Sequence, residues 1–195
     1  MTSPVRLLSV QCALARRMRI GERDILTGID KRPVAGPVAV GRMGLEGDEQ
    51  ADLSVHGGLD KAVYAYPSEH YAWWQAAREA AGVPGAGHAL AWGALGENLT
   101  LAGLLECDVW VGDLLVFPRC VLAVTAPREP CYKFNAAMGY SHAARQMGQS
   151  GLCGFYLSVV EPGTLCAGDT AHLQAGQRRI GIPERFAAHR VKHLR

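Results

Sequence analysis

The feature of this sequence that most restricts its fold is a succession of short apolar or alternating segments separated by glycine, proline and aspartate. Segments of this kind, which are bounded by turn-forming residues, are typical of β-strands. Nine of them recur along the chain, at residues 5–14, 25–29, 38–41, 62–66, 98–101, 109–117, 121–126, 155–160 and 170–173. Their number and spacing predict a mainly β fold that closes into a β-barrel.

Only two segments have a helical pattern, so the barrel should carry few peripheral helices. The first follows Ser68, which can cap a helix in which Tyr71 and Trp74 share one apolar face and which ends at Gly82. The second, at residues 135–148, is rich in alanine, the residue that most favours a helix.

The chain length favours one domain. At 195 residues the chain can bury a sizeable core without disulfides or a structural metal. Residues 177–195 contain six lysines or arginines and one acidic residue, a composition typical of a solvated segment. We therefore predict a domain at residues 1–176, followed by a basic C-terminal tail at 177–195.

Charge and composition exclude several functional classes. The net charge of +2 is too small to indicate specific nucleic-acid binding. No apolar stretch is long enough for a membrane helix, and residues 1–14 do not have the pattern of a secretory signal. The six cysteines include no Cys-x-x-Cys pair, which indicates reduced thiols. We therefore expect a cytoplasmic protein without a membrane partner.

The densest group of reactive residue types surrounds Cys131. Pro127 and Pro130 restrict the backbone on both sides of Arg128, so that the loop should hold its side chains in fixed positions. Arg128 and Lys133 are close enough in sequence to favour a thiolate at Cys131. A thiolate is both a nucleophile and a soft metal ligand, and these residues therefore predict a functional cysteine.

Two further segments contain candidate functional residues. In the first, at residues 44–62, His56 precedes two glycines and is followed by Lys61. In the second, at residues 93–99, Glu97 and Asn98 lie between apolar neighbours. His56 alone is equally compatible with a turn histidine, and a Cys131–His56 nucleophilic pair remains open. The sequence contains neither the ligand spacing of a zinc site nor the glycine pattern of a P-loop or a dinucleotide-binding fold.

Three ordered motifs together resemble the MOSC domain family, which is related to the C-terminal domain of molybdenum cofactor sulfurase. They are GLEGDEQADLSVHGGLDK at 44–61, GALGENL at 93–99 and PREPCYKFN at 127–135. The resemblance is strongest to a stand-alone bacterial subgroup linked to detoxification of 6-hydroxylaminopurine. It implies a β-barrel, a pterin-based molybdenum cofactor (molybdopterin) and a cysteine thiolate on the metal at Cys131. It also implies a group of pocket residues: His56, Lys61, Glu97, Asn98, Arg128 and Asn135, with Arg145 as a further matching position.

Three functions are compatible with these residues. The first is a molybdenum-dependent oxidoreductase that reduces N-hydroxylated small molecules. In it Cys131 ligates the metal, cofactor charge is bound by Lys61, Arg128 and Lys133, and a proton comes from His56 or Glu97. Its electrons would come from a separate donor protein, because no flavin, nicotinamide or iron–sulfur motif is present.

The two alternative functions are a sulfur carrier with a persulfide on Cys131 and a non-catalytic cofactor-binding module. The sequence leaves a homodimer open.

Overall fold

The computed structural model describes residues 4–51 and 57–192. Thirteen strands lie in these ranges: β1 (Val5–Cys12), β2 (Arg16–Ile20), β3 (Arg23–Thr27), β4 (Arg32–Pro33), β5 (Val38–Gly41), β6 (Gly44–Leu45), β7 (Val63–Pro67), β8 (Leu99–Ala102), β9 (Leu114–Phe117), β10 (Cys120–Pro127), β11 (Phe155–Glu161), β12 (Gly163–Leu165) and β13 (Thr170–Gln174). The α-helices in the same ranges are α1 (Tyr71–Ala80), α2 (Tyr132–Met138), α3 (Ala143–Ser150) and α4 (Ile182–Lys192).

Seven of these strands form a closed β-barrel, which confirms the predicted fold. Their order is β13-β9-β10-β11-β7-β8-β1, and the barrel closes because β1 also pairs with β13, where Val5 lies opposite Ala171. The pairings in the barrel are antiparallel except between β7 and β8, which run parallel. The inward residues of β1 and β10 alternate with more exposed ones, as the period of a strand requires.

Two matching Gly-Asp turns lead into the neighbouring strands β9 and β13. In the first, a carboxylate oxygen of Asp113 accepts the N–H of Trp110 at 3.2 Å, and in the second Asp169 accepts the N–H of Cys166 at 2.9 Å. The preceding glycines have φ angles of 91° and 95°, a conformation that glycine adopts without strain. The same local device therefore starts both strands.

The aromatic face of α1 packs into the core, as its sequence pattern predicts. Trp74 is fully buried, and its indole N–H donates to the hydroxyl of Tyr66 on β7 at 2.6 Å. The Trp74 ring also lies edge-to-face against Phe134 of α2, with 5.2 Å between ring centroids. These contacts join two helices to the barrel wall behind the segment that carries Cys131.

Several element boundaries differ from those predicted. The strand expected at 109–117 is restricted to β9, because the Gly-Asp turn occupies the residues before it. The helix expected at 135–148 is two helices, α2 and α3, and α2 ends at Gly139 in the left-handed conformation with φ 81°. β2 was not among the predicted strands, because arginines interrupt its apolar alternation.

The C-terminal segment is partly built into the core. Ile182 and Phe186, one helical turn apart on α4, are 0% and 5% exposed. The N–H of Ile182 donates to the carbonyl of Val109 at 2.9 Å, and Arg178 pairs with the buried Asp113. The prediction of a solvated tail is therefore wrong for this part of the segment. The high charge of the segment obscured an apolar pair four residues apart.

Across residues 4–51 and 57–192, no helix is both long enough and apolar enough to cross a membrane.

Candidate functional site

A cleft opens in the barrel wall where β10 leads into α2. Its wall is formed by the end of β3, residues 48–51, the start of β7, residues 96–98 and the loop before α2. Cys131 lies in this wall and is half-buried. The ionisable side chains beside it are predominantly basic, namely Lys31, Lys61, Arg128 and Lys133 with Asp48 and Glu49.

Cys131 lies in a short loop that follows a strand, directly before a helix. β10 ends at Pro127, and α2 begins at Tyr132, one residue after the cysteine. Cys131 has an extended backbone with φ −127° and ψ 172°, and its carbonyl accepts the N–H of Phe134 at 2.9 Å. Regular structure thus follows Cys131 directly, whereas three irregular residues, 128–130, separate it from β10.

Arg128 is a buried cation next to this cysteine. Its guanidinium donates to the carbonyl of Leu95 at 2.5 Å and to the Tyr64 hydroxyl at 3.3 Å, and it stacks on the rings of Tyr64 and Phe134 at 4.9 and 4.8 Å. Burial alone would lower the pKa of Arg128, but Tyr64, Tyr156 and Cys131 raise it above its ordinary value. No carboxylate in the described part of the chain forms an ion pair with it. A buried positive charge therefore faces the cleft.

Glu97 is fully buried behind the cleft and organises the loop before β8. Its carboxylate accepts the backbone N–H of Gly93 at 2.8 Å and of Leu95 at 3.2 Å, together with the hydroxyls of Tyr71 and Thr100. Desolvation raises the pKa of Glu97. Glu97 is not among the cleft-lining residues, so it reaches the site through the Leu95 carbonyl that binds Arg128.

Asn98 joins three parts of the cleft wall. Its side-chain oxygen accepts the N–H of Tyr64 at 3.0 Å, and its amide nitrogen donates to the carbonyl of Gln11 at 3.2 Å and to Asp48 at 2.9 Å. Asp48 also forms an ion pair with Lys31, and the two side chains are only 5% and 9% exposed. Neither Lys31 nor Asp48 is among the predicted site residues. Asp48 lies within the first quoted motif, but no local signal marked Lys31.

Two predicted basic residues stand at the cleft. Lys61 lies with its ammonium group 5.6 Å from the centre of the Tyr156 ring, and Lys133 donates to the carbonyl of Leu26 at 3.3 Å. Both residues line the cleft together with Cys131. The structure thus brings these lysines, Asn98, Arg128 and the cysteine to one place, and the roles assigned to them remain predictions.

Other predicted residues lie elsewhere. The side-chain oxygen of Asn135 accepts the N–H of Ala144 at 2.8 Å and so joins α2 to α3, whereas Arg145 lies on α3 and does not line the cleft. His56 lies outside the described residues, and its proposed part in proton transfer stays a prediction.

The donor set of the cleft fits a metal that arrives with an anionic organic cofactor. Among residues 4–51 and 57–192, no group of three or more His, Cys, Asp or Glu side chains could hold a metal ion without other ligands. The cleft instead offers one soft thiol with four basic side chains against two carboxylates. A thiol suits a metal such as molybdenum, and a surplus of cations suits a phosphate-bearing ligand.

Comparison with known proteins agrees with this fold. Residues 52–172 match the MOSC domain. The chain is 40% identical over 161 residues to Protein YiiM of Escherichia coli, which covers 83% of this chain and 70% of YiiM. The crystal structure of YiiM from Geobacillus stearothermophilus superposes with a TM-score of 0.74 at 33% identity, covering 95% of this chain and 84% of YiiM.

A third relative is much longer than this chain. It is a protein from the fungus Gibberella moniliformis named Reductase, which is 33% identical over 171 residues. The match covers 87% of this chain but only 29% of the fungal protein. The matched domain and the extent of the YiiM similarity place this chain in the MOSC domain family, which takes its name from molybdenum cofactor sulfurase.

Proposed function

We propose that this chain is a molybdenum-dependent oxidoreductase that reduces N-hydroxylated small molecules, such as N-hydroxylated purines. The observation that carries the proposal is the half-buried thiol of Cys131 beside the buried cation of Arg128, in a cleft with a surplus of basic side chains. Membership of a family related to molybdenum cofactor sulfurase supports it. So does the name Reductase of the fungal relative, of which the chain matches a minor part.

In the proposed reaction an N-hydroxylated substrate takes up two electrons and two protons and gives the amine and water. The bound cofactor would supply the electrons at its metal, and the Cys131 thiolate would be a metal ligand. Arg128, Lys61 and Lys133 would bind negative charge on the cofactor, because charge-assisted hydrogen bonds to phosphate are strong.

Proton delivery is divided among several residues in this proposal. His56 remains the first candidate, since an imidazole changes charge near neutral pH. The Asp48 and Lys31 ion pair also lines the cleft, where it would orient the bound substrate for this proton transfer. Glu97 would act as a positioning residue, because its carboxylate lies behind the wall and is occupied by four donors.

The same thiol favours a second candidate function. A cysteine that is half-buried, lies in a cleft and faces a cation could carry a persulfide for cofactor or metal–sulfur assembly. A third candidate binds the cofactor without turnover. These three functions differ in metal content and in the sulfur bound to Cys131, and both quantities can be measured before any substrate is known.

The test is elemental analysis and intact mass of protein purified from cells that make molybdenum cofactor, followed by turnover with 6-hydroxylaminopurine and a chemical electron donor. We expect stoichiometric molybdenum and reduction to the amine, both lost in Cys131→Ser and both kept in the matched control Cys166→Ser. Metal-free protein with labile sulfur on Cys131 would establish the sulfur carrier instead. Molybdenum without turnover would leave a cofactor-binding module.

A further inference from the structure

A basic hairpin borders the cleft. Strands β2 and β3 form an isolated two-stranded sheet in which Met18 lies opposite Ile25. The hairpin contains four arginines and two acidic residues, so this short segment carries the same net charge of +2 as the whole chain. Its charged residues are Arg16, Arg17, Arg19, Glu22, Arg23 and Asp24. Positive charge is therefore concentrated on one two-stranded element.

The hairpin leads directly into the cleft. Thr27, the last residue of β3, and the two residues after it line the cleft. On the other side, the Lys133 ammonium donates to the carbonyl of Leu26 and thereby joins β3 to the first turn of α2. A molecule that docks on the hairpin would consequently lie beside the opening that contains Cys131.

The exposed surface of these two elements combines apolar and basic groups. Leu26 on β3 is 49% exposed, and Tyr132, the first residue of α2, is 54% exposed. Arg17 lies directly opposite Leu26 in the strand register, on the same face of the hairpin. An apolar centre with charged residues around it, rich in tyrosine and arginine, is the composition of protein–protein interfaces.

Part of the positive charge on the hairpin is not neutralised by the described residues. Arg16 pairs with Asp30, and Arg19 lies 3.6 Å from Asp24. Arg17 and Arg23 are exposed and form no ion pair with a carboxylate in residues 4–51 or 57–192. Arg17 shares its face of the hairpin with Arg19 and Leu26, whereas Arg23 lies opposite Ile20 on the other face. The guanidinium group of Arg17 is therefore available to an acidic partner that docks on Leu26.

We propose that the β2–β3 hairpin, together with Tyr132, is the docking surface for the acidic face of an electron-donor protein. The inference rests on the proposed reductase function, which needs two electrons per turnover from outside the chain. A reduced flavin carrier would lose two electrons and two protons while the N–O bond is cleaved to the amine and water. Complementary charge raises the rate of encounter, and the apolar pair Leu26 and Tyr132 favours a protein over a nucleic acid.

The test compares charge reversal on the hairpin with charge reversal elsewhere. Arg17→Glu/Arg19→Glu changes the two exposed arginines on the face of the hairpin that carries Leu26. Arg6→Glu/Arg179→Glu is a control that changes two exposed arginines outside the hairpin and the cleft wall. Turnover is measured with reduced flavodoxin, an acidic flavin carrier, and with reduced methyl viologen, a small donor that needs no docking surface. The dissociation constants for flavodoxin and for a duplex DNA are measured separately by calorimetry.

We expect the hairpin variant to lose kcat/KM with flavodoxin by about tenfold or more at low ionic strength, with a smaller loss at high salt. Turnover with methyl viologen should stay within about twofold, and the control should behave like the unmodified chain. Equal losses in both variants, no loss in either, or tighter binding of the hairpin to duplex DNA than to flavodoxin would overturn the proposal. Absence of turnover with methyl viologen would instead contradict the reductase function, and the calorimetry would still decide the docking surface.

Discussion

Arg128 is a cation held in the protein interior by neutral groups. It is 6% exposed, and its hydrogen-bond partners are a carbonyl and a phenol. A buried charge is stable only when hydrogen bonds and an opposite charge offset its desolvation. Tyr64 and Tyr156, and to a smaller extent Cys131, raise the pKa of Arg128. Burial raises the pKa of both phenols, so a thiolate at Cys131 is the better source of that opposite charge among these three groups. The fold is therefore suited to a thiolate, or to an anionic ligand, in the cleft.

This arrangement predicts an order of cysteine reactivity. In cofactor-free protein near pH 8, we expect Cys131 to react with iodoacetamide before the other five cysteines, because the adjacent guanidinium stabilises a thiolate. Cys12 should react slowly, since burial and then the Asp48 carboxylate raise its pKa to about 11. Its rate should rise about tenfold per pH unit below that pKa, because the thiolate is the reactive form.

Peptide mapping by mass spectrometry after timed labelling measures this order, and loading with cofactor should then protect Cys131. Faster labelling of Cys12 or Cys166 than of Cys131 in metal-free protein would count against the site.

At the scale of single residues, the site residues that could be predicted from the sequence are those that lie close together along the chain. Arg128, Cys131 and Lys133 belong to one motif, and all three line the cleft. The Lys31 and Asp48 pair could not be found in this way, because it joins residues of two loops that tertiary packing brings together near the end of β1.

At the scale of elements, the loop before β8 shows how a buried carboxylate can act on the site from behind. Glu97 fixes the backbone of this loop through two N–H groups, and the loop in turn presents the Leu95 carbonyl to Arg128. Gly96 in the same loop has φ 82°, and a side chain there would overlap Ile29. The position of the Arg128 guanidinium thus depends on the geometry of the loop.

Glu97→Gln tests this positioning role. We expect the free energy of unfolding to fall by about 1–3 kcal/mol. The reason is that the new side-chain N–H₂ group would face the N–H of Leu95, which donates to the carboxylate of Glu97 in the unmodified chain. Turnover should fall while its pH profile keeps its shape. Loss of one limb of the profile would instead identify Glu97 as a proton donor.

The pH dependence of stability gives an independent readout. Desolvation raises the pKa of Glu97 in the folded state, so the protonated carboxyl is favoured by folding. Its contribution to stability is fully present below the unfolded pKa and is lost as pH rises through the folded pKa. Urea unfolding over a range of pH should show this decline in the unmodified chain and lack it in Glu97→Gln. Glu46→Gln, at an exposed position, is the matched control.

At the scale of the whole molecule, strand patterning predicted the barrel because inward residues alternate with outward ones along its strands. The same pattern predicted elements less well where charged residues interrupt the apolar alternation. In β2, Met18 and Ile20 alternate with arginines and lie opposite Ile25 and Arg23 of β3, so that pairing with the neighbouring strand compensates for the weak local signal. In α4, the apolar pair Ile182 and Phe186 is buried among charged neighbours.

Removal of residues 177–195 is the decisive test of how far the folded unit extends. The composition of this segment predicts that the barrel survives the deletion, but α4 covers core surface next to Val109. Burial of a large apolar side chain contributes about 1.5–3 kcal/mol, and Phe186→Ala alone should therefore lower the free energy of unfolding by about 3–5 kcal/mol once the resulting cavity is included. The deletion should lower it further, because it also removes Ile182 and leaves the buried Asp113 without the guanidinium of Arg178.

Urea unfolding of both variants measures these changes, with Arg179→Ala as an exposed control in the same segment. A deletion variant that unfolds at the same urea concentration as the full chain would show that the barrel folds without α4.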